Sequence, residues 1–373
     1  MSSPRKRIIV SVISDLATDQ RVIRIATTLQ EMGFEVYVIA RSFKTSLPLE
    51  SYPFKANRIR CYFSKGTLQY AEFMTKLFFR LLFKKADYFL ANDLDTLLPN
   101  FWVSRLRGKY LFYDTHEYFT GVPELAASPV KKKVWKKLED YIMPRLKTIY
   151  TVNDSVKSEY ESEYNVHLSV IRNLPVTVNV TPASVPEHWR GKIILLAQGA
   201  GLNEGRSCIE MIDALPLLDD IFHLVFIGGG NAWEKLKKKR KEMQLEHRID
   251  MMEKMLPSKL KSFTPLAHLG MSLDNFTDKN FLYNLPNKIF DYMQAGVPVF
   301  ATAIPEVKRI IDQYDCGITI SDTSPQHIAK VITELMNDEN RYARLKANAL
   351  SASREFCWEK EQVKLRAIYQ DFL

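Results

Sequence analysis

Cysteine is scarce in this chain. There are four in 373 residues (Cys61, Cys208, Cys316 and Cys357), and none forms a Cys-x-x-Cys pair. That spacing argues against a disulfide framework and a thiolate zinc site, and for a reducing cytoplasm. Long apolar runs are also missing, and no stretch reaches the ~20 residues that a membrane-spanning helix needs. The opening residues Met1-Ser2-Ser3-Pro4-Arg5-Lys6-Arg7 run straight into the strand-like Ile8-Ile9-Val10-Ser11-Val12-Ile13. They do not resemble a secretory leader, so a cytoplasmic location is the expectation. Neither low-complexity tracts nor short-period repeats occur. What is present is ordinary for a soluble globular protein: 46% hydrophobic, 25% charged and 12% aromatic residues. The length predicts about two domains.

Charge is unevenly spread. The formal net charge is +9. Residues 1–187 carry 27 basic and 19 acidic side chains, a difference of +8, and the remainder carries 25 and 24. The first half is therefore built to meet something anionic or to stay soluble. Residues 70–85 mix bulky apolar side chains with four cations, and Lys131-Lys132-Lys133-Val134-Trp135-Lys136-Lys137 surrounds an aromatic with five lysines. Two readings of these stretches stand. A basic amphipathic helix lies on an anionic bilayer, and a core-packed helix carries a solvated rim. The run from Lys235 to Lys241 lacks an apolar face and reads as solvated surface. No recognisable nucleic-acid motif accompanies the charge, so no nucleic-acid partner is expected.

Short apolar runs alternate with helix-period segments. Strands are predicted at 7–14, 35–40, 58–63, 87–91, 109–114 and 148–152, then at 193–197, 223–227, 266–271 and 297–301. Between the first two, Val22, Ile25, Ala26, Leu29 and Met32 recur at helical spacing, and Gly33 supplies the stop. Pro175 to Pro182 reads as an interdomain connection. The pattern predicts an α/β protein with two doubly wound, Rossmann-like parallel-sheet domains. The expected boundaries are 1–187 and 188–354, with a last helix at 355–373. Such sheets bind ligands beyond the carboxyl ends of their strands, so two facing edges would form a cleft.

Motifs fall at those ends. After the strand at 193–197 comes Gln198-Gly199-Ala200-Gly201-Leu202-Asn203-Glu204-Gly205-Arg206. Its glycines allow close backbone approach, the following helix start offers free amides, and Arg206 supplies a fork suited to phosphate. Gly228-Gly229-Gly230 repeats the device after the next strand, which favours a nucleotide-type ligand. In the segment 282–301, Pro286 fits a first helical turn and Gly296 a helix end. Asn287 and Lys288 then stand at a helix start, suited to phosphate oxygens. Asp291 lies one turn on, on the same side, where a carboxylate can accept both hydroxyls of a ribose. The alternative is that Lys288 and Asp291 are surface helix residues.

Residues 282–301 resemble the nucleotide-binding segment of GT-B glycosyltransferases of family 4 (glycosyltransferase group 1). There a Glu-x7-Glu motif opens a helix that leads to Gly and a Pro-Val strand. The resemblance extends to Ser14-Asp15-Leu16-Ala17-Thr18-Asp19-Gln20-Arg21, Tyr113-Asp114-Thr115-His116-Glu117, Gln198 to Arg206 and Gly228 to Gly230. It implies that Asp291 takes the place of the ribose-binding glutamate, that Tyr283 replaces the first glutamate, and that Arg206 binds phosphate. The family's second basic residue has no match, and Lys288 is assigned to that task from its helix position. His116 resembles the histidine that contacts the donor sugar, with Asp114 and Glu117 beside it. Asp15 and Asp19 lie in a loop that in the family faces the acceptor, and capping the helix that follows is their alternative role. Asn92-Asp93-Leu94-Asp95 mimics a metal-binding Asp-x-Asp, but GT-B enzymes generally need no metal, and Asp95 is read as a helix cap.

The expectation is a metal-independent glycosyltransferase without a cofactor, using a nucleotide-diphosphate sugar as donor. Gly199, Gly201, Arg206, Gly229, Asn287, Lys288 and Asp291 are its donor-binding residues. His116, Glu117 and Asp15 are its catalytic candidates. The resemblance implies retention of configuration, a glycan or lipid-linked acceptor in envelope polysaccharide assembly, and a peripheral place on the inner face of the membrane. Two rivals share the fold: a sugar-nucleotide epimerase and a non-catalytic membrane-peripheral scaffold.

Overall fold

The computed structural model describes residues 5–122, 125, 128–199, 201–276 and 279–373. Ala200 and the first four residues, discussed above, lie outside them. The chain divides into two compact units. One is Met1–Asn173 with Trp358–Leu373, and the other is Leu174–Cys357.

The first unit holds a parallel sheet of seven strands: β1 Arg7–Ser11, β2 Glu35–Ser42, β3 Lys55–Arg60, β4 Tyr88–Asn92, β5 Tyr110–Thr115, β6 Thr148–Thr151 and β7 Leu168–Val170. Their order is β3-β2-β1-β4-β5-β6-β7. The central strands are apolar throughout because helices cover both faces, and Ile8, Ile9, Val10, Phe89, Leu90, Phe112 and Tyr113 are fully buried. The third strand pairs over 55–60 rather than 58–63. The amides of Tyr62 and Phe63 donate instead to the Glu72 carboxylate at 2.9 Å, which takes them out of the ladder. The three-residue edge strand β7 was not anticipated from the sequence, being too short to show a period.

The chain's last long helix, Trp358–Tyr369, belongs to this unit. Leu365 and Tyr369 are fully buried, and the Tyr369 ring lies 4.3 Å from that of Phe112. Trp358 Nε1 donates to Thr28 Oγ1 at 3.0 Å. The helix thus completes a core that the first 173 residues leave open.

The second unit holds a parallel sheet of six strands: β8 Ile193–Gly199, β9 Phe222–Gly228, β10 Ile249–Glu253, β11 Leu269–Ser272, β12 Val299–Thr302 and β13 Gly317–Ile320. The order is β10-β9-β8-β11-β12-β13. Apolar clusters cover both faces, one around Leu224, Phe226 and Phe300, the other around Val225, Ile227 and Tyr292. Strands β10 and β13 escaped the sequence reading, since both lie at sheet edges, where Asp250 and Glu253 interrupt β10 and Gly317 and Thr319 interrupt β13.

The boundary falls after Asn173, earlier than the 187 expected from the proline-punctuated stretch. That stretch is tied to the second unit. Ala183 N donates to Ser262 O at 2.8 Å, and Gln294 Nε2 donates to Val176 O at 3.1 Å.

Candidate functional site

The carboxyl edge of the second sheet is built by backbone proximity. Gly199 and Gly228 end β8 and β9 opposite one another. A side chain at Gly228 would place its Cβ 1.8 Å from Gly199 O, so only glycine fits there. Gly230, at φ +146°, meets Leu202 O in the same way. The two loops then clasp. Leu202 N donates to Gly229 O at 2.7 Å, Asn231 N to Asn203 Oδ1 at 2.9 Å, and Glu204 N to Asn231 Oδ1 at 2.8 Å. Gly199, Gly201 and Gly229 are therefore parts of one fastened pair of loops.

Arg206 and Lys288 stand beside this edge. Arg206 Nη1 pairs with Asp274 Oδ1 at 2.6 Å, and Asp274, almost wholly buried, also accepts from Asn284 Nδ2 at 2.8 Å. The carboxylate fixes one arm of the guanidinium, while its buried Nε has no hydrogen-bond partner among the described residues. Ser207 follows at φ 44°, a left-handed conformation that costs energy in a non-glycine residue and marks a constrained turn.

Lys288 is half-buried, and its Cε lies 3.8 Å from where a Cβ on Gly199 would sit. Loss of water and the nearby Arg206 charge lower its pKa to about 8, against a partial offset from Asp274. Burial raises the neighbouring Cys208 thiol to about 11 despite these two cations. The site is thus a pair of close cations carrying one carboxylate, an arrangement that favours an anion. Asp274 was missed by the sequence reading. Its only signal was a position just past the end of β11.

Lys288 opens the helix Lys288–Gln294 with Asn287 exposed at its cap. Pro286 lies before that helix, not in its first turn, because its carbonyl accepts Ile289 N in a preceding tight turn at 3.2 Å. Asp291 is half-buried one turn into the helix, and Tyr283 is half-buried ahead of it. Tyr292 anchors the helix by donating to Leu196 O at 2.9 Å, over a Gly270 whose Cβ would strike the ring.

In the first unit, His116 sits among carboxylates at the ends of β4 and β5. Its backbone N donates to Asp93 Oδ1 at 2.7 Å, its Nδ1 lies 3.2 Å from Asp93 Oδ2, and its Nε2 lies 3.3 Å from Asp114 Oδ2. Burial opposes its charge, but Asp93 and Asp114 outweigh that and raise its pKa to about 9. It is therefore an imidazolium at neutral pH, a hydrogen-bond donor rather than a base. Asp114 is gripped by Arg21 at 2.9 and 2.6 Å, and Arg21 also donates to Ile171 O at 2.7 Å.

Asp95 does not cap a helix. It is buried inside the helix Leu94–Arg107, where loss of water and the Asp93 charge drive its pKa well up, and its Oδ1 has no hydrogen-bond partner among the described residues. Asp15 accepts from Arg58 Nη2 at 2.8 Å and Asp19 caps the helix Gln20–Glu31 through Val22 N at 3.0 Å. Glu117 is half-buried next to His116.

Residues 202–351 match the family model for glycosyl transferases group 1. A curated relative, an uncharacterized glycosyltransferase of Methanocaldococcus jannaschii, is 26% identical over 162 residues, 43% of this chain and 43% of that protein. The chain spans under half the length of the curated relatives it matches. Sucrose-phosphate synthase from Thermosynechococcus elongatus has the same fold, at TM-score 0.77 and 15% identity over 99% of both chains. So does Anabaena HepE, solved with UDP-glucose, at TM-score 0.75 and 16% identity over 98% of this chain and 99% of that one. Two tandem parallel-sheet units of this kind define the GT-B class. Within it, residues 202–351 are similar to the group 1 glycosyltransferases.

Proposed function

We propose that the protein transfers a sugar from a nucleotide-diphosphate sugar to a glycan or lipid-linked acceptor, with retention of configuration. One observation carries this reading: Arg206 and Lys288 converge beside the glycine loops at the carboxyl edge of the second sheet. Cleavage of the anomeric bond builds charge on the departing diphosphate. Cations already in place there stabilise the transition state more than the ground state. Asp274 orients Arg206 and leaves its unpartnered Nε for the phosphate. Gly199, Gly201 and Gly229 let the pyrophosphate approach the backbone, Asn287 joins Lys288 at the phosphate oxygens, and Asp291 serves the ribose. His116, as a donor, supports the sugar, while Glu117 and Asp15 act on the acceptor side. No protein nucleophile is required, which suits a chain without an activated Ser or Cys.

The acceptor side is proposed to meet an anionic bilayer. Leu68, Phe79 and Phe83 on the helix Gly66–Phe83, and Val130 and Val134 on the helix Pro129–Ile142, are exposed amid lysines and arginines. Trp135 takes no part, because it packs inward on Tyr70 and Phe119 at 5.5 and 5.1 Å. Co-sedimentation with anionic but not neutral vesicles is the expected result; equal binding to both rejects it.

The donor assignment is tested with a panel of UDP-, GDP- and ADP-sugars. Wild type should hydrolyse or transfer at least one, and Arg206→Ala should lose at least tenfold, about 1.4 kcal/mol, in kcat/KM. No binding or turnover of any sugar nucleotide rejects the reading. Conversion of donor alone into an epimeric sugar nucleotide identifies an epimerase.

A further inference from the structure

Away from the glycine loops, at the amino-terminal ends of β9 and β10, three metal-ligating side chains converge. His188 lies in the short turn Glu187–Trp189, His223 is the second residue of β9, and Asp250 is the second residue of β10. Their ligand atoms all lie within 4.8 Å of one another. His188 Nε2 is 2.7 Å from Asp250 Oδ2, and His223 Nε2 is 3.3 Å from the same oxygen.

The second observation concerns His223 alone. It is only 2% exposed, and its Nε2, 3.3 Å from Asp250 Oδ2, makes no well-formed hydrogen bond among the described residues. A buried ring nitrogen so placed is poorly satisfied unless something else meets it. A cation accepts that lone pair where no protein donor does.

We propose that His188, His223 and Asp250 form a three-ligand zinc site that fastens the Glu187–Trp189 turn to the sheet. Two imidazoles and one carboxylate are a known zinc donor set, with ligands about 2.0–2.2 Å from the ion. A tetrahedral ion at that range separates its ligands by about 3.3 Å, a value bracketed by the 2.7 Å and 4.8 Å found here. His188 is exposed, which leaves room for water as the fourth ligand. Trp189 Nε1 donates to the same Asp250 Oδ2 at 2.5 Å and fixes the carboxylate, as outer partners of metal ligands do. The sequence hid the site because its members are spread over 63 positions, from 188 to 250, with none of the spacings that flag metal motifs. It lies at the strand ends opposite to Arg206 and takes no part in the proposed transfer.

The test uses the full chain, stripped with a chelator and titrated with zinc sulfate. Zinc retained after gel filtration is measured by elemental analysis, and Tm with and without zinc is recorded. Wild type should retain one equivalent and gain in Tm. Asp250→Asn and the surface variant His188→Ala, which leaves the core intact, should each bind at least tenfold more weakly and lose the Tm gain. The inference is overturned if wild type retains no zinc. It is equally overturned if His188→Ala retains a full equivalent, which would place the metal on the cysteines or elsewhere.

Discussion

Lys288 shows how one side chain reports the state of the site. Its pKa of about 8 lies below the ordinary lysine value because burial and Arg206 disfavour the ammonium. The unfolded chain therefore holds this proton more tightly than the folded one between about 8 and 10.5. The penalty is fully present below pH 8 and is relieved as pH rises through that window. A bound diphosphate reverses the balance, since it rewards the charged form. Nucleoside diphosphate affinity should hold steady below pH 8 and then fall, by at most about tenfold per pH unit for one proton. Lys288→Gln should bind more weakly at neutral pH and show a flat profile above 8. Isothermal titration at several pH values checks this, and an unchanged slope in the variant rejects it. Arg206 was legible in the sequence as a cation following a strand end, and Lys288 as one opening a helix. Asp274 was not, because a lone acid after a short strand has no local signature until the fold brings it to Arg206.

At the scale of elements, Arg21 welds the first helix to the end of β5. Both Arg21 and Asp114 are almost fully buried, and the fork meets the carboxylate at two points. Removing one partner leaves the other charge stranded, which costs about 3–5 kcal/mol. Arg21→Met should lower the urea midpoint of the first unit by that equivalent and raise the His116 pKa further, because the Arg21 charge opposes the imidazolium. A loss under about 1 kcal/mol contradicts the assignment. The strands that the sequence revealed were apolar runs buried on both faces, as in β1, β5 and β9. The missed strands β7, β10 and β13 are short or half-polar members at or near the sheet edges, where burial imposes no pattern. The Asp-x-Asp at 93 and 95 was legible as a motif, but the fold parts its two acids: Asp95 is buried in a helix, where its pKa is driven up, and Asp93 pairs with His116.

At the scale of the molecule, alternation of strand and helix was enough to predict two parallel-sheet units. The place where one gives way to the other was not legible, because hydrogen bonds to Ser262 and from Gln294, far along the chain, capture the proline-rich stretch. Ending the chain at Cys357 would strip Trp358, Leu365 and Tyr369 from the first unit's core. At about 1.5–3 kcal/mol per large buried side chain, the loss is roughly 5–9 kcal/mol, comparable with a whole domain's stability. Limited proteolysis of that shortened protein should degrade the first unit and spare the second. Equal resistance of both units counts against this account.

The split ancestry of the first unit also orders events during synthesis. Residues 174–357 leave the ribosome as an unbroken stretch and can fold as soon as they emerge. The unit that begins at the amino terminus must wait with an unfinished core until the final sixteen residues, 358–373, arrive. The second unit can close its core from one contiguous stretch, whereas the first closes its own only when residues 358–373 join it.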